Sequence, residues 1–391
     1  MLSHTDVIEI GIPRTLFGVG AINKLPEVVA GFGTDKVLVI TDKGLVAAGV
    51  VDVPLNVLKE AGITVDVFDG TGAEAPVSVI LDLVKVIREK GYGLLVAVGG
   101  GSTMDTTKTA GHLAGNPDLT PTDLIKWKPF TRNMPIVAVP TTAGTGSEWS
   151  AWAVIHNDVA DGVHYPYASP NNYPNCVIID PAMTSKVPPK ITADTGMDAL
   201  AHAIEAYTSP NASVISDMFA SFSIGMVAKS LRRAVAKGAF NIQDRYNMSI
   251  SASCGMLAMS LTGPGLAHLG NETLGAMAGL AHGRATALLL PEVMAFNLMT
   301  DPAKFATIAD LMGEDTTGMS DIEAGEMAVD AVRRLMFDLG MPQTLTEVGV
   351  SEDKIPELAK ELAEVRAPVV KMAACREIST AQAEELYANL L

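Results

Sequence analysis

The sequence predicts two domains, an α/β unit on a parallel sheet over residues 1–184 and an all-α unit over residues 185–391. Three observations carry that reading. Short β-branched runs alternate with helical stretches through the first half, the rhythm that parallel strands covered by helices produce. Past Asp180 and Pro181 the texture changes to long stretches rich in Ala, Leu, Met and Glu with helical periodicity and almost no strand signal. Length agrees, since 391 residues with 48% apolar content can fill more than one core.

Taken in order, the first strand expected is Lys36–Ile40, then a helix near 44–61, a strand over Val65–Phe68, a helix near 76–90 and a strand over Gly93–Val98. Further strand-like runs are Pro135–Val139 and Cys176–Ile179. Pro188 and Pro189 read as a turn at the domain boundary rather than an element interior. No apolar run approaches the roughly 18 residues that span a bilayer, and Met1–Asp6 has neither a basic nor an apolar targeting region. A soluble, cytoplasmic chain with no membrane partner is expected. Cys176, Cys254 and Cys375 are odd in number and far apart, which suits buried thiols and neither a disulfide framework nor a CxxC site. A formal charge of −16 argues against a nucleic-acid surface, because phosphate contact needs clustered Lys and Arg.

Two glycine-rich segments follow strands. The run ending at Val98 leads into Gly99, Gly100, Gly101, Ser102 and Thr103 and then a helix from about Met104 and Asp105. A strand, a glycine turn and a helix N-terminus make a phosphate cradle, because backbone without side chains lets N–H donors and the helix dipole approach an anion. The same pattern also serves as a plain strand-to-helix turn. The second segment, Pro140 to Glu148, packs Thr141, Thr142, Thr145 and Ser147 between glycines and could line a nucleotide or satisfy a turn internally. Neither is a GxGxxG or Walker pattern.

Four metal-ligand types occur at paired spacings downstream. Asp198 and His202 are four apart, so a helix puts both on one face. His268 and His282 are fourteen apart and would stand about 21 Å from each other on one straight helix. One ion reaches both only if the chain breaks between them, where Gly270, Gly275 and Gly279 lie. One carboxylate and three imidazoles suit Fe(II) or Zn(II), with room for a substrate oxygen. His4 and His156 are expected at the surface or in turns, and His112 packed on its helix.

With these motifs in hand, the chain resembles the iron-containing (group III) alcohol dehydrogenases, in the wider superfamily of dehydroquinate synthase. The resemblance rests on residues 99–105, 140–148 and 195–207, and on His268 and His282 ahead of Leu288–Pro291, and it covers nearly the whole chain. It implies a dinucleotide-binding α/β domain, a helical metal domain and a cleft where a nicotinamide meets an alcohol or aldehyde. It implies that Asp198, His202, His268 and His282 hold one divalent metal. Asp42 matches an acidic position beside the adenosine ribose, which would favour NAD over NADP by repelling a 2′-phosphate; read from the residues alone, Asp42 is also an N-cap candidate for the following helix. Gly99, Gly100, Gly101, Ser102, Asp105, Thr141, Thr142, Thr145, Ser147 and His164 are the other residues expected at the cofactor. The reaction implied is hydride transfer between NAD(H) and a small alcohol, diol or functionalised aldehyde, in a homodimer or larger homo-oligomer. A hydroxyacid–oxoacid transhydrogenase and a catalytically silent nucleotide-binding relative are the alternatives.

Departures from the family pattern cluster around the expected chemistry. Glu272 stands four residues after His268, where many relatives carry a proton-relaying His, so Glu272 and His282 are the expected catalytic pair. His164 replaces a common Lys, Ala75 and Pro76 replace Asn-Pro, and Arg284 and Glu292 stand where neutral or imidazole side chains are usual. The Lys371–Arg376 segment lacks the usual Asn-Pro-Arg. Arg284 could meet an anionic substrate or form a salt bridge within the helical domain.

Overall fold

Runs of Val, Ile and Leu with no polar alternation make strands that are buried on both faces, and such strands belong in the middle of a parallel sheet. The computed structural model, which describes residues 10–131 and 134–391, shows this directly. His4 and the opening Met1–Asp6 lie outside the described residues. The first unit contains strands β1 (Arg14–Phe17), β2 (Lys36–Ile40), β3 (Thr64–Phe68), β4 (Leu94–Gly99), β5 (Ile136–Pro140), β6 (Trp152–His156), β7 (His164–Ala168) and β8 (Cys176–Ile179). Its helices are α1 (Leu25–Ala30), α2 (Lys43–Ala47), α3 (Asp52–Glu60), α4 (Val77–Lys90), α5 (Gly101–Gly115) and α6 (Pro121–Ile125). Six strands pair in the order β1-β8-β5-β4-β2-β3, all parallel. Every residue of β4 and β5 is buried, whereas the edge strand β3 carries Asp66 and is half exposed.

Alternate residues of the strands feed two cores. Val37, Val39, Val96, Val98 and Val137 join Leu25, Val28 and Leu58 of α1 and α3 on one face. Leu38, Ile40, Leu95 and Ile136 join Ile80, Leu83 and Ile87 of α4 and Leu113 of α5 on the other. The expected helix near 44–61 is two helices, α2 and α3. Gly49, at φ +63°, takes a left-handed conformation that stops the first. Strand β1 and the antiparallel hairpin β6–β7 were not foreseen: β1 is four residues long and begins Arg14, Thr15, and Pro166 inside β7 argues against a strand unless, as here, the ladder has only two strands.

The second unit is helical: α7 (Pro189–Thr208), α8 (Val214–Lys237), α9 (Ile242–Thr262), α10 (Leu266–Ala278), α11 (His282–Asn297), α12 (Pro302–Met312), α13 (Asp321–Asp338), α14 (Ile355–Lys360), a π-helical turn (Glu361–Val365), α15 (Ala367–Ala373) and α16 (Thr380–Ala388). The chain divides between Val187 and Pro188. Pro189 opens α7 as its first helical residue, where the missing N–H costs nothing. Helix α7 is buried along most of its length and packs against α8, α9 and α11. Among the described residues Val214–Phe240 is long and apolar enough by length and composition to cross a membrane, contrary to the expectation that no such stretch exists. It packs against α7, α9 and α12, and a core helix meets the same criterion.

Candidate metal centre and dinucleotide loops

Asp198 and His202 project from one face of α7 and His268 from the first turns of α10. Helix α10 runs through Gly270 and Gly275 and ends only at Gly279, whose φ of +61° caps it. The turn that follows makes His282 the first residue of α11. Of the three glycines flagged in that interval, Gly279 alone breaks the chain. The break brings His282 back to the site: its Nε2 stands 3.7 Å from Asp198 Oδ1, and His268 Nε2 stands 3.6 Å from the same oxygen. His202 Nε2 lies 4.0 Å from Asp198 Oδ2, and the His202 and His268 rings stack with centroids 4.6 Å apart.

The cluster fits a divalent cation. Asp198, His202 and His268 are buried, yet Asp198 Oδ1 and His268 Nε2 have no hydrogen-bond partner among the described residues. Buried polar atoms left without partners are costly unless something coordinates them. Burial alone would raise the Asp198 carboxyl, but the three imidazoles outweigh it and hold it below the ordinary carboxylate range. His282, with a side chain 55% exposed, leaves one side of the cluster open, as a catalytic rather than a structural site requires.

Sequence reasoning missed Glu205, on α7. Its Oε2 accepts from His268 Nδ1 at 2.5 Å, and the same carboxylate accepts from the backbone N–H of Gly265 (3.2 Å), Ala267 (2.6 Å) and His268 (3.4 Å). It therefore caps the N-terminus of α10 and fixes the tautomer that turns Nε2 of His268 toward the cluster. Burial lowers the His268 imidazole, and Glu205 with Asp198 more than reverses this, pushing it up to about 9. The signal in the sequence was a carboxylate three residues past His202, which helical spacing alone does not connect to His268.

Asp198, His268 and His282 each offer a ligand atom within 4.8 Å of the other two; His202 stands beside them at Asp198 Oδ2, and Glu272 is outside that group. Its Oε2 pairs with Arg366 Nη2 at 2.5 Å, and Arg366 Nε reaches Glu361 at 3.2 Å. Burial raises the Glu272 carboxyl while Arg366 pulls it down. The cation that offsets Glu272 is thus Arg366. Arg284 is taken by Asp194 at 2.7 and 2.8 Å, the salt-bridge alternative, and Glu292 by Arg333 at 2.6 Å.

In the α/β unit, the strand order reverses between β2 and β4, since the chain runs from β2 outward to β3 and returns on the far side through β4 to β5. Ligands bind beyond the carboxyl ends of strands at such a switch point. Asp42 follows β2, and Gly99 ends β4 with Gly100 to Ser102 following it, so they flank it. Asp42 caps α2, its Oδ1 accepting from Leu45 N at 2.9 Å. The two glycine-rich loops touch. A Cβ on Gly100 would stand 3.1 Å from Thr142 Oγ1, and one on Gly101 2.9 Å from Thr145 Cγ2, so only bare backbone permits the approach. Thr141 N donates to Gly99 O at 3.0 Å.

Asp105 and Ser147, both expected at the cofactor, bond to each other. Ser147 Oγ donates to Asp105 Oδ1 at 2.7 Å, Val154 N donates to Oδ2, and buried Lys108 donates to Ser147 O and Oγ at 2.8 Å. This network holds the second loop onto α5. Lys108 was missed, its position on α5 reading as an ordinary helix residue. His164 sits at the start of β7 with Nε2 3.3 Å from Glu74 Oε2, and its ring stacks on His156, which is half-buried rather than a surface or turn residue. Glu74 N in turn donates to Ser102 Oγ at 3.2 Å. His112 packs as expected, with its Nε2 2.8 Å from Asn172 Oδ1.

Comparison with known proteins agrees over the whole length. The family described as iron-containing alcohol dehydrogenase matches residues 13–181, and its C-terminal counterpart matches residues 192–391. The 1,3-propanediol dehydrogenase of Klebsiella pneumoniae is 40% identical over 350 residues, 88% of this chain and 89% of that protein. The NAD-dependent methanol dehydrogenase of Bacillus methanolicus is 34% identical over 352 residues, 89% and 91% of the two chains. A crystal structure of 1,3-propanediol oxidoreductase superposes with a TM-score of 0.93 at 35% identity, covering 99% of this chain and 100% of that one.

Proposed function

Because this chain belongs to the iron-containing alcohol dehydrogenase family, we propose that it interconverts short uncharged alcohols or diols with their aldehydes, using NAD(H) in preference to NADP(H) and one Fe(II) or Zn(II) ion. The observation that carries the reading is the convergence of Asp198, His202, His268 and His282 from three helices. Those four side chains would hold the ion, which supplies Lewis acidity to the substrate oxygen when bound. Glu205 orients His268, and the α7–α11 contact sets the distance of His282 from Asp198. Glu272, four residues after His268 and paired with Arg366, is the carboxylate we assign to pass a proton. The relatives named above are a 1,3-propanediol dehydrogenase and a methanol dehydrogenase, and Glu272 and Arg284 are each paired within the helical unit, so Arg284 is not a free cation offered to an anionic substrate.

The cofactor preference rests on Asp42. Its Oδ1 caps α2, and its Oδ2 would meet ribose hydroxyls and repel a 2′-phosphate. Asp42→Ser keeps a capping oxygen and removes the charge, so it should raise kcat/KM with NADP by roughly tenfold, about 1.4 kcal/mol, at little cost to folding. Absorbance at 340 nm with a panel of short alcohols and aldehydes, both cofactors and either metal, tests the whole reading. Equal kcat/KM for NAD and NADP in the unmodified protein would overturn the cofactor assignment. We also propose a homodimer or larger assembly; a scattering mass near the 40.9 kDa of one chain would refute it.

A further inference from the structure

We propose that Glu74, His156 and His164 form a second divalent-metal site, separate from the Asp198 cluster and selective for a borderline ion such as Zn(II). The strands β6 and β7 set His156 directly opposite His164, so both imidazoles rise from the same side of the hairpin. Their rings lie nearly parallel, 13° apart with centroids at 4.7 Å. Glu74 reaches them from the loop before α4. Its Oε2 is 3.3 Å from His164 Nε2 and 4.0 Å from His156 Nδ1, and one ligand atom from each residue lies within 4.8 Å of the other two.

These separations suit coordination. Tetrahedral bonds of about 2.0–2.1 Å place neighbouring ligand atoms about 3.3–3.4 Å apart. The corresponding separations in the Asp198 cluster are slightly longer, 3.6 to 4.0 Å. Two imidazoles and one carboxylate favour Zn(II) over Mg(II) or Ca(II), which take oxygen ligands, and leave a fourth position for water or another oxygen. The backbones that carry the three side chains are tied together, although the Glu74 side chain itself is 57% exposed. His156 N donates to Ala75 O at 3.2 Å and Pro76 bridges to His156, while Ser78 N donates to Asp158 Oδ1 at 3.0 Å. Both imidazoles are about three-quarters buried, with side-chain exposures of 26% and 27%.

This site lies wholly within residues 10–187 and shares no residue with the Asp198 cluster; because His164 is also a residue expected at the dinucleotide, uptake is measured without cofactor. The test uses the full chain stripped with chelator and titrated with Zn(II) by calorimetry, and with Co(II) by visible absorption. The native chain should take up about two Zn(II) ions, and His268→Ala/His282→Ala should keep about one. His156→Asn/His164→Asn should also keep about one, held by the Asp198 cluster, and Glu74→Gln should weaken the second ion by roughly tenfold or more. Circular dichroism and retention of the first ion confirm that these variants fold. Uptake of about one ion by the native chain, unchanged uptake in His156→Asn/His164→Asn, or a second ion bound only above about 1 mM would each overturn the proposal.

Discussion

A histidine binds a metal through an unprotonated nitrogen, and which nitrogen is available depends on where the other one donates. For His268 that choice is made by Glu205, whose carboxylate takes the Nδ1 proton and three backbone N–H groups of α10. Glu205→Gln leaves one oxygen to accept and turns an amide toward His268. Metal affinity, read by competition with a chelator, should fall about 10–100-fold, with a lower melting temperature for the metal-free protein because α10 loses its cap. Unchanged affinity would mean that Glu205 only caps the helix. The thiols offer a second check at this scale. Burial pushes the Cys254 thiol up to about 12, and Cys176 is 1% exposed, whereas Cys375 is half-buried beside Thr300. A disulfide reagent at pH 8 should modify Cys375 alone in the native protein, and modification of Cys254 there would contradict the packing of α9.

At the scale of elements, the site depends on how closely α11 approaches α7. A Cβ on Gly283 would stand 2.3 Å from the Asp194 carbonyl oxygen and 2.9 Å from Asp198 Cβ, neither of which can yield without moving helix backbone. Gly283→Ala should push α11 outward, carry His282 away from Asp198 and lower metal affinity at least tenfold, with His282→Ala showing a similar loss. Native metal affinity in Gly283→Ala would show that the helices part without cost to the site. The same scale explains what the sequence made readable. Asp198 and His202 were legible because helix periodicity puts residues four apart on one face, and the central strands because double burial leaves no alternation. The break after α10 was expected but its position was not, since only the backbone shows that Gly279 and not Gly270 or Gly275 leaves the helical region. Glu205, Lys108 and Arg366 stayed hidden for another reason: each acts on a partner far away in sequence, and no local spacing reports such a pair. Gly49 splitting the expected helix near 44–61 is a local signal of the same weight as glycines that helices tolerate.

At the scale of the whole molecule, metal binding and folding of the helical unit should be linked, because the four ligands we propose lie in residues 188–391 and only the folded chain gathers them. Without the ion, α7 buries a carboxylate against three imidazoles, with Asp198 Oδ1 and His268 Nε2 lacking hydrogen-bond partners among the described residues. A ligand that binds only the folded state stabilises it by about 2.7 kcal/mol at a hundredfold excess over its dissociation constant. For a unit of this size each kcal/mol moves the melting temperature by about 2–4 °C, so saturating Fe(II) or Zn(II) should raise the helical transition by roughly 5–11 °C over chelator-treated protein. The rise should continue with the logarithm of metal concentration above saturation, which separates linkage from a fixed structural repair. Thermal scans at 222 nm, dominated by the helices, measure it. His268→Ala/His282→Ala supplies the control, because it removes two ligands of the helical unit and leaves Glu74, His156 and His164 in place. An equal rise in that variant, or none in the native chain, would show that the ion does not bind where Asp198, His202, His268 and His282 meet.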